Sequence, residues 1–499
     1  MRSFNLWILD GADSIGGNKI ALTRDGEGLF LDFGVNMRKK RAYEVSYRVF
    51  AIANKMFYHL YSEILPRIRG IYRSDLIELD ERVKEMLANQ PELSIQAALI
   101  SHAHMDHYGA IGFLSNEIMV AVSNSMKTMI EAMAESSSYD IEGEIFRLRD
   151  RREERREEAR RTCEIFEEGK HVSNIPFNVK TYPVDHSVPA AFGFLIEDAS
   201  LAYTGDIRIH GPRRDLTENF LEKIRGVDYL LIEGTRIDTS TNISEENVFK
   251  RIEEYIAEKP DKFACIIVSS TDLDRVRGIF EIAERLGRVP ILSPRLIYLI
   301  DKLMETESKI ALPSLKNACI YFERRSLHGG GYDLSPRHYR RWMREVYESR
   351  LDGKKDGELK KAEEVSKDQD KYILIANSLD YVLEIAQIRP EPGSRLIVST
   401  SEPHDEEQEI SWGKFLEWVD LLRLDLRIAH SSGHADRESI LRMIEEVDPK
   451  VIIPIHTERP YEFQRLKRLG YIKCNVILPN INRSLSWDRA HGNLNKLDH

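Results

Sequence analysis

The chain has 499 residues, 42% apolar and 31% charged, which supports a sizeable soluble core and suggests two or more domains. A formal net charge of −10 argues against an all-over nucleic-acid binder, while leaving room for a local basic channel or a carboxylate-rich site neutralised by cations. No stretch approaches the roughly 20 apolar residues of a membrane-spanning helix, and Asp10 arrives before any signal-like region can form.

Cys163, Cys265, Cys319 and Cys474 are scattered and form no CxxC pair, so they read as core or incidental thiols in a reducing, cytoplasmic setting.

In chain order, "FNLWILDGADSIGGNKIALT" reads as strand, turn and strand, "GLFLDFGV" as a further strand, and about Tyr43 to Ile71 as helix. "SIQAALI" is a short apolar strand that ends at "SHAHMDHYGAIGF", so the histidine cluster stands where a strand leaves a sheet, as functional loops of α/β proteins do. From about Ile145 to Glu168, opposite charges three or four residues apart predict a solvent-exposed helix. Strand patterns return in "FNVKTYPVDHS", "AAFGFLIED", "ASLAYTGD" and "VDYLLIEGT".

Between about Ile243 and Ala429 the texture becomes repeated strand–helix units, such as "FACIIVSST" before "DLDRVRGIFEIAERLG", which predict a buried parallel sheet. Within it, about Lys354 to Asp370 reads as a polar excursion or loop, and residues 325–346 as a glycine loop followed by an amphipathic helix. Sheet-like segments bearing histidines resume afterwards. The expected organisation is therefore a first domain over 1–242, an inserted α/β domain over 243–429 and a return segment over 430–499.

In an extended segment side chains alternate, so His102 and His104 point the same way and can grip one metal ion. Asp106 and His107, at the start of the next element, can face a neighbouring ion. His186, Asp206 and His456 each stand at the end of an apolar strand. These five histidines and two aspartates suffice for two metals of about four or five ligands each with a bridging carboxylate.

HxHxDH, the downstream strand-end histidine and the "TGD" segment resemble the metallo-β-lactamase fold. That resemblance implies an αββα sandwich with His102, His104 and His186 on one metal, Asp106, His107 and His456 on the other, and Asp206 between them. Asp32 in "LFLDFG" matches the family aspartate that orients ligands. Zinc suits the imidazole-rich set, with manganese as the alternative.

"LLIEGTR" with Glu233, "AHSSGHAD" with His434 and "PIHTE" with His456 resemble the β-CASP branch of nucleic-acid-processing enzymes. A histidine at the last position points to RNA, and the pattern is most similar to ribonuclease J, in its shorter archaeal-type form. By that resemblance His430, Ser432 and His434 contact RNA phosphates, with Ser399, Ser401, Glu402 and Thr271 as further candidates. Asp272 departs from the Ser-Asn pattern, and Glu-Gly-Thr replaces the usual Asp-Ser-Thr.

The implied function is hydrolysis of phosphodiester bonds in single-stranded RNA by hydroxide activated between two divalent metals. The implied mode is 5′-to-3′ exonuclease with possible endonuclease activity. Asp106 and Asp32 belong to the catalytic set, and Glu233 orients His434 as the acid that protonates the leaving 3′-oxygen. A homodimer is a possible assembly. The alternatives are a DNA nuclease of the same fold or a non-catalytic RNA-binding β-CASP subunit.

Overall fold

The computed structural model describes residues 4–44, 52–138, 140–151, 158–240, 243–306, 308–326, 331–401, 406–479, 484–488 and 493–496. The chain opens with strands β1 (Phe4–Asp10), β2 (Lys19–Arg24), β3 (Glu27–Phe33), β4 (Ala97–Leu99) and β5 (Met119–Val122). A short hairpin of β6 (Arg147–Arg149) and β7 (Glu158–Arg160) precedes β8 (Cys163–Ile165). Next come β9 (Val179–Val184), β10 (Ala191–Ile196), β11 (Leu201–Tyr203) and β12 (Tyr229–Glu233).

A third group follows: β13 (Ala264–Val268), β14 (Val289–Leu292), β15 (Cys319–Tyr321), β16 (Glu358–Lys360), β17 (Tyr372–Ala376), β18 (Arg395–Ser399) and β19 (Asp425–Ile428). The chain closes with β20 (Val451–Ile455), β21 (Asn475–Val476), β22 (Ser484–Asp488) and β23 (Asn493–Lys496).

These strands form three sheets. The first runs β23-β22-β1-β2-β3-β4-β5-β8 and the second β21-β20-β12-β11-β10-β9. Leu6, Ile8, Phe30 and Leu99 of the first share one buried cluster with Val179, Phe194, Tyr203 and Ile453 of the second, so the core lies between them. On the far side of the second sheet, Phe220, Met443 and Phe463 of three helices pack on Leu230 and Ile452. The layering is the expected αββα sandwich.

The third sheet runs β16-β15-β14-β17-β13-β18-β19 and is parallel throughout. Its inner strands β13, β17 and β18 are buried throughout, as strands covered by helices on both faces are, while the edge strands β16 and β19 are polar and partly exposed. β12 pairs in parallel with β20, Glu233 opposite Ile455, so the chain leaves the second sheet after Glu233 and rejoins it beyond Asp448 with the third sheet in between. The helix Pro294–Glu305 rests on the helix Asn124–Ser136 of the sandwich, where Tyr298 donates to Glu135 at 2.6 Å and Arg295 to the Ser136 carbonyl at 2.7 Å.

Three expectations need correction. The helix expected over Tyr43 to Ile71 is confined to Ile52–Tyr61 among the described residues, and residues 45–51 lie outside them. Glu63 turns left-handed at φ 57°, and Pro66 carries no N–H to continue the ladder. The helix expected over Ile145 to Glu168 is replaced, among the described residues, by β6, β7 and β8. Arg161 is the reason: its buried guanidinium donates to the carbonyls of Ile145, Ser115, Ile118, Ile111 and Leu114, which a solvated helix could not supply. The polar stretch Lys354 to Asp370 contains an edge strand, β16, and the helix Ala362–Lys367, which buries Ala362 and Val365 against the third sheet.

Among the described residues no helix is long and apolar enough to cross a membrane. All four cysteines are free thiols, two buried and two partly so.

Candidate metal centre

β4 lies between β3 and β5 in parallel register, and its exit carries the chain into Ser101 and His102. Asp32, at the end of β3, organises this exit although it is itself strained into the left-handed region at φ 62°. Its carboxylate accepts from the Ser101 N–H and hydroxyl, both at 2.7 Å, from His107 Nδ1 at 2.6 Å and from the Tyr203 hydroxyl at 2.5 Å. His102 Nδ1 donates to Ser101 Oγ at 3.0 Å. Both rings thereby carry a proton on Nδ1 and turn Nε2 inward, the nitrogen whose lone pair is available to a cation once its own proton is released.

Asp106 stands in the first turn of the short helix Met105–Tyr108. The β1–β2 loop supports it from below: Gly17 N–H donates to the Asp106 carbonyl at 3.0 Å, and a Cβ on Gly16, or on Gly34 just after β3, would collide with Asp106. His186, Asp206 and His456 follow the ends of β9, β11 and β20. His456 is also left-handed, at φ 51°, and its N–H donates to the Gly11 carbonyl at 2.6 Å.

Asp206 is the hub. Its Oδ2 lies 3.2 Å from His107 Nε2, 3.5 Å from His102 Nε2, 3.6 Å from His456 Nε2, 3.8 Å from His186 Nε2 and 3.9 Å from His434 Nδ1. Two donor sets share it, one of His102, His104 and His186, the other of Asp106, His107 and His456, each with its donor atoms within 4.8 Å of one another. Burial alone would raise the Asp206 carboxyl, but the surrounding imidazoles hold it well below the usual range. Burial pushes His102 and His186 well below the ordinary histidine value, while the carboxylates of Asp206, Asp32 and Asp106 overcome burial at His107 and raise it.

His434 sits at the rim, its ring 21% exposed where His102 and His107 are fully covered. His434 Nδ1 donates to Glu233 at 3.1 Å, and Thr235 Oγ1 lies 3.2 Å from the same nitrogen and 2.8 Å from His456 Nδ1. Burial lowers His434, but the Glu233 and Asp206 carboxylates outweigh it and bring it up to about 9.

The other candidate residues fall at different distances from this hub. Thr271 reaches in from the third sheet, its hydroxyl 3.5 Å from His104 Nε2. Ser432 Oγ accepts from the His434 N–H at 3.1 Å. His430 faces Arg275, 3.1 Å from its Nδ1, and is pushed down to about 3 by burial and that cation. Ser399 is buried and its hydroxyl is committed to the Ala429 carbonyl at 2.6 Å, whereas Ser401 is exposed. Glu402 lies outside the described residues.

Sequence reasoning missed Ser101, Thr235, Tyr203 and the β1–β2 loop; the "EGTR" segment carried Thr235 in plain view, but nothing local marks the others. It also missed a second cluster of Glu44, His59 and Glu142, where Lys40 and Lys55 already pair with the carboxylates.

The residues fit a divalent cation. His102 Nε2, His107 Nε2 and Asp206 Oδ1 are buried with no hydrogen-bond partner among the described residues, a costly arrangement unless a cation takes the lone pairs. Imidazole nitrogens mixed with carboxylate oxygens suit zinc, or manganese.

Comparison with known proteins agrees with this geometry. The Beta-lactamase superfamily domain matches residues 79–245, which hold His102 through Glu233. The Zn-dependent metallo-hydrolase RNA specificity domain matches residues 425–476, which hold His434 and His456. Ribonuclease J of Sinorhizobium meliloti is 22% identical over 375 residues, 73% of this chain and 58% of that protein. Ribonuclease J of Methanocaldococcus jannaschii is 22% identical over 302 residues, 58% of this chain and 59% of that one. The chain is similar to ribonuclease J over the parts that align.

The chain spans under two thirds of the length of either curated relative. A crystal structure of a protein of unknown function from Enterococcus faecalis V583, 18% identical, covers 97% of this chain and is itself covered fully, with a TM-score of 0.70. It shares the fold.

Proposed function

We propose that the protein is a metal-dependent ribonuclease that hydrolyses phosphodiester bonds of single-stranded RNA. The observation that carries this reading is the Asp206 carboxylate oxygen within 4 Å of five imidazole nitrogens, with the half-open His434–Glu233 pair beside it. The match to an RNA specificity domain over the segment holding His434 supports RNA as substrate. In this reading the chain divides at about residues 242 and 430, and Thr271 of the inserted part lies 3.5 Å from His104 Nε2.

His102, His104 and His186 would hold one cation and Asp106, His107 and His456 the other, with Asp206 shared. Bound zinc or manganese would supply Lewis acidity toward the phosphate and make water acidic enough to ionise near neutral pH. Asp32 keeps His107 in its ligating tautomer, directly, and His102 through Ser101. Glu233 holds the Nδ1 proton of His434, so that Nε2 of the cationic ring faces substrate. From there His434 stabilises charge on a phosphate oxygen and gives its Nε2 proton to the departing 3′-oxygen.

Single-stranded RNA is the substrate expected of a site whose donors are buried, which a duplex phosphate cannot easily reach. The test uses protein loaded with zinc or manganese and RNA carrying a 5′-monophosphate or a 5′-hydroxyl, with Asp106→Ala alongside. Mononucleotides released from the 5′-monophosphate RNA and lost in the variant are the expected result, and mark the 5′-to-3′ mode. Internal fragments independent of the 5′ end would assign the endonuclease mode. Cleavage of matched DNA alone, or of neither, would overturn the reading.

A further inference from the structure

Three successive carbonyl oxygens beside His434 are held by nitrogens drawn from separate parts of the chain. Arg275 Nη2 donates to Ser431 at 3.3 Å, Arg208 Nη1 and His210 Nε2 donate to Ser432 at 3.3 and 2.9 Å, and His186 Nδ1 donates to Gly433 at 2.6 Å. The Ser431 hydroxyl in turn donates to the Ile243 carbonyl at 2.6 Å. A loop of this kind has no regular ladder to fix it, so its shape is set by these side chains.

The two arginines meet on one carboxylate. Glu245 Oε1 accepts from Arg208 Nη1 at 2.9 Å and from Arg275 Nη2 at 2.5 Å, and all three residues are buried. Arg208 lies two residues beyond Asp206 and also donates to Asp185, the neighbour of His186, at 3.2 Å. Arg275 lies in the helix after β13 and donates to the Ser399 carbonyl of β18 at 2.8 Å. The bridge thus runs from the strand ends that carry the metal donors, through Glu245, to the third sheet, and it touches the 430–434 loop from both sides.

Arginine suits this task because a planar guanidinium can serve several acceptors in fixed directions, which a lysine cannot. A guanidinium also has no lone pair, so His430 Nδ1, 3.1 Å from Arg275 Nη1, is the acceptor and the ring keeps its proton on Nε2. Arg275 therefore fixes the tautomer of His430 as well as the path of the backbone.

We propose that Arg208 and Arg275, joined through Glu245, are positioning residues that set the 430–434 loop, and His434 with it, against the metal centre. They touch neither donor set's ligating atoms and act through the loop. The consequence for RNA rests on the ribonuclease reading, whereas the bracing of the loop does not.

The experiment compares wild type, Arg275→Lys and Glu245→Gln, with Arg161→Lys as a control for general destabilisation far from the loop. Amide hydrogen exchange of residues 430–434, metal content, and KM and kcat on single-stranded RNA are measured. Faster exchange confined to 430–434, unchanged metal content and a KM raised about 10-fold or more are expected, in line with groups that act at one remove from a site. The control should leave exchange at 430–434 unaltered. The 15N shifts of His430 should report an Nε2–H ring in wild type and a mixture of tautomers in Arg275→Lys. Should Arg275→Lys fail to fold, Glu245→Gln and Arg208→Lys carry the same test.

Unchanged exchange at 430–434 in the bridge variants, or equal exchange in the control, would overturn the proposal. If wild type cleaves no RNA, the functional reading falls while the exchange and tautomer results still decide the brace.

Discussion

Gly16 is where the β1–β2 loop passes beneath Asp106, and its backbone sits at φ +77°. A side chain there would be strained in its own conformation and would also push on the Asp106 carboxylate. Asp106 belongs to the donor set with His107 and His456, so the effect should reach cation affinity before it reaches the fold. Gly16→Ala is expected to weaken cation binding about 10- to 100-fold. Titration of zinc or manganese into the stripped protein, followed by calorimetry, measures it; a wild-type isotherm would refute the role given to Gly16. Asp32 and His456 carry the complementary lesson, since both are left-handed without being glycine. Each is held there by bonds to partners distant in sequence, Asp32 by Ser101, His107 and Tyr203, His456 by Gly11 and Thr235.

At the scale of elements, the segment around β6, β7 and β8 shows how a charge pattern can mislead. Opposite charges three or four apart are what a solvated helix wants, but the same residues can serve as partners in a hairpin. What decides between them is Arg161, whose five acceptor carbonyls come from the loop around Ile111–Phe113, from Ser115 and Ile118 ahead of β5, and from Ile145. It acts as a pin that closes the edge of the first sheet. Arg161→Met would keep the bulk and leave those buried carbonyls without a donor. The expected cost is about 3 kcal/mol or more, read as a lower denaturant midpoint with the slope unchanged. A loss within a few tenths of a kcal/mol would show that the pin contributes little.

For the molecule as a whole, the candidate metal centre joins both sheets of the sandwich, because His102 and Asp106 leave the first and His186, Asp206 and His456 leave the second. Bound cations should therefore stabilise the whole sandwich as well as the site. A ligand present at 100 times its Kd adds about 2.7 kcal/mol to a fold that it alone recognises. Removing the ions with a chelator should lower Tm by several degrees, and adding zinc or manganese back should restore it. An identical Tm with and without chelator would count against cation binding between the sheets.

Much of the candidate site, as a set of residues that come together, was legible in the sequence because its signals are local. A histidine pair two apart at a strand exit, followed by Asp106 and His107, needs no knowledge of the fold to suggest a metal. Strand-end positions picked out His186, Asp206 and His456, and continuous apolar runs gave away the parallel third sheet. The tertiary structure alone decided which of these donors meet and what holds them. Asp106 and His456 come together across 350 positions, and Ser101 finds Asp32 across 69.

The brace on the 430–434 loop, the Thr235 link between His434 and His456 and the pin at Arg161 were invisible for the same reason. Hydrophobic pattern and residue type report what a segment can bury or ligate, since those are properties of neighbours along the chain. A hydrogen bond between remote backbone and side-chain groups depends on the path of the chain in space, and that path is fixed once the sheets have packed.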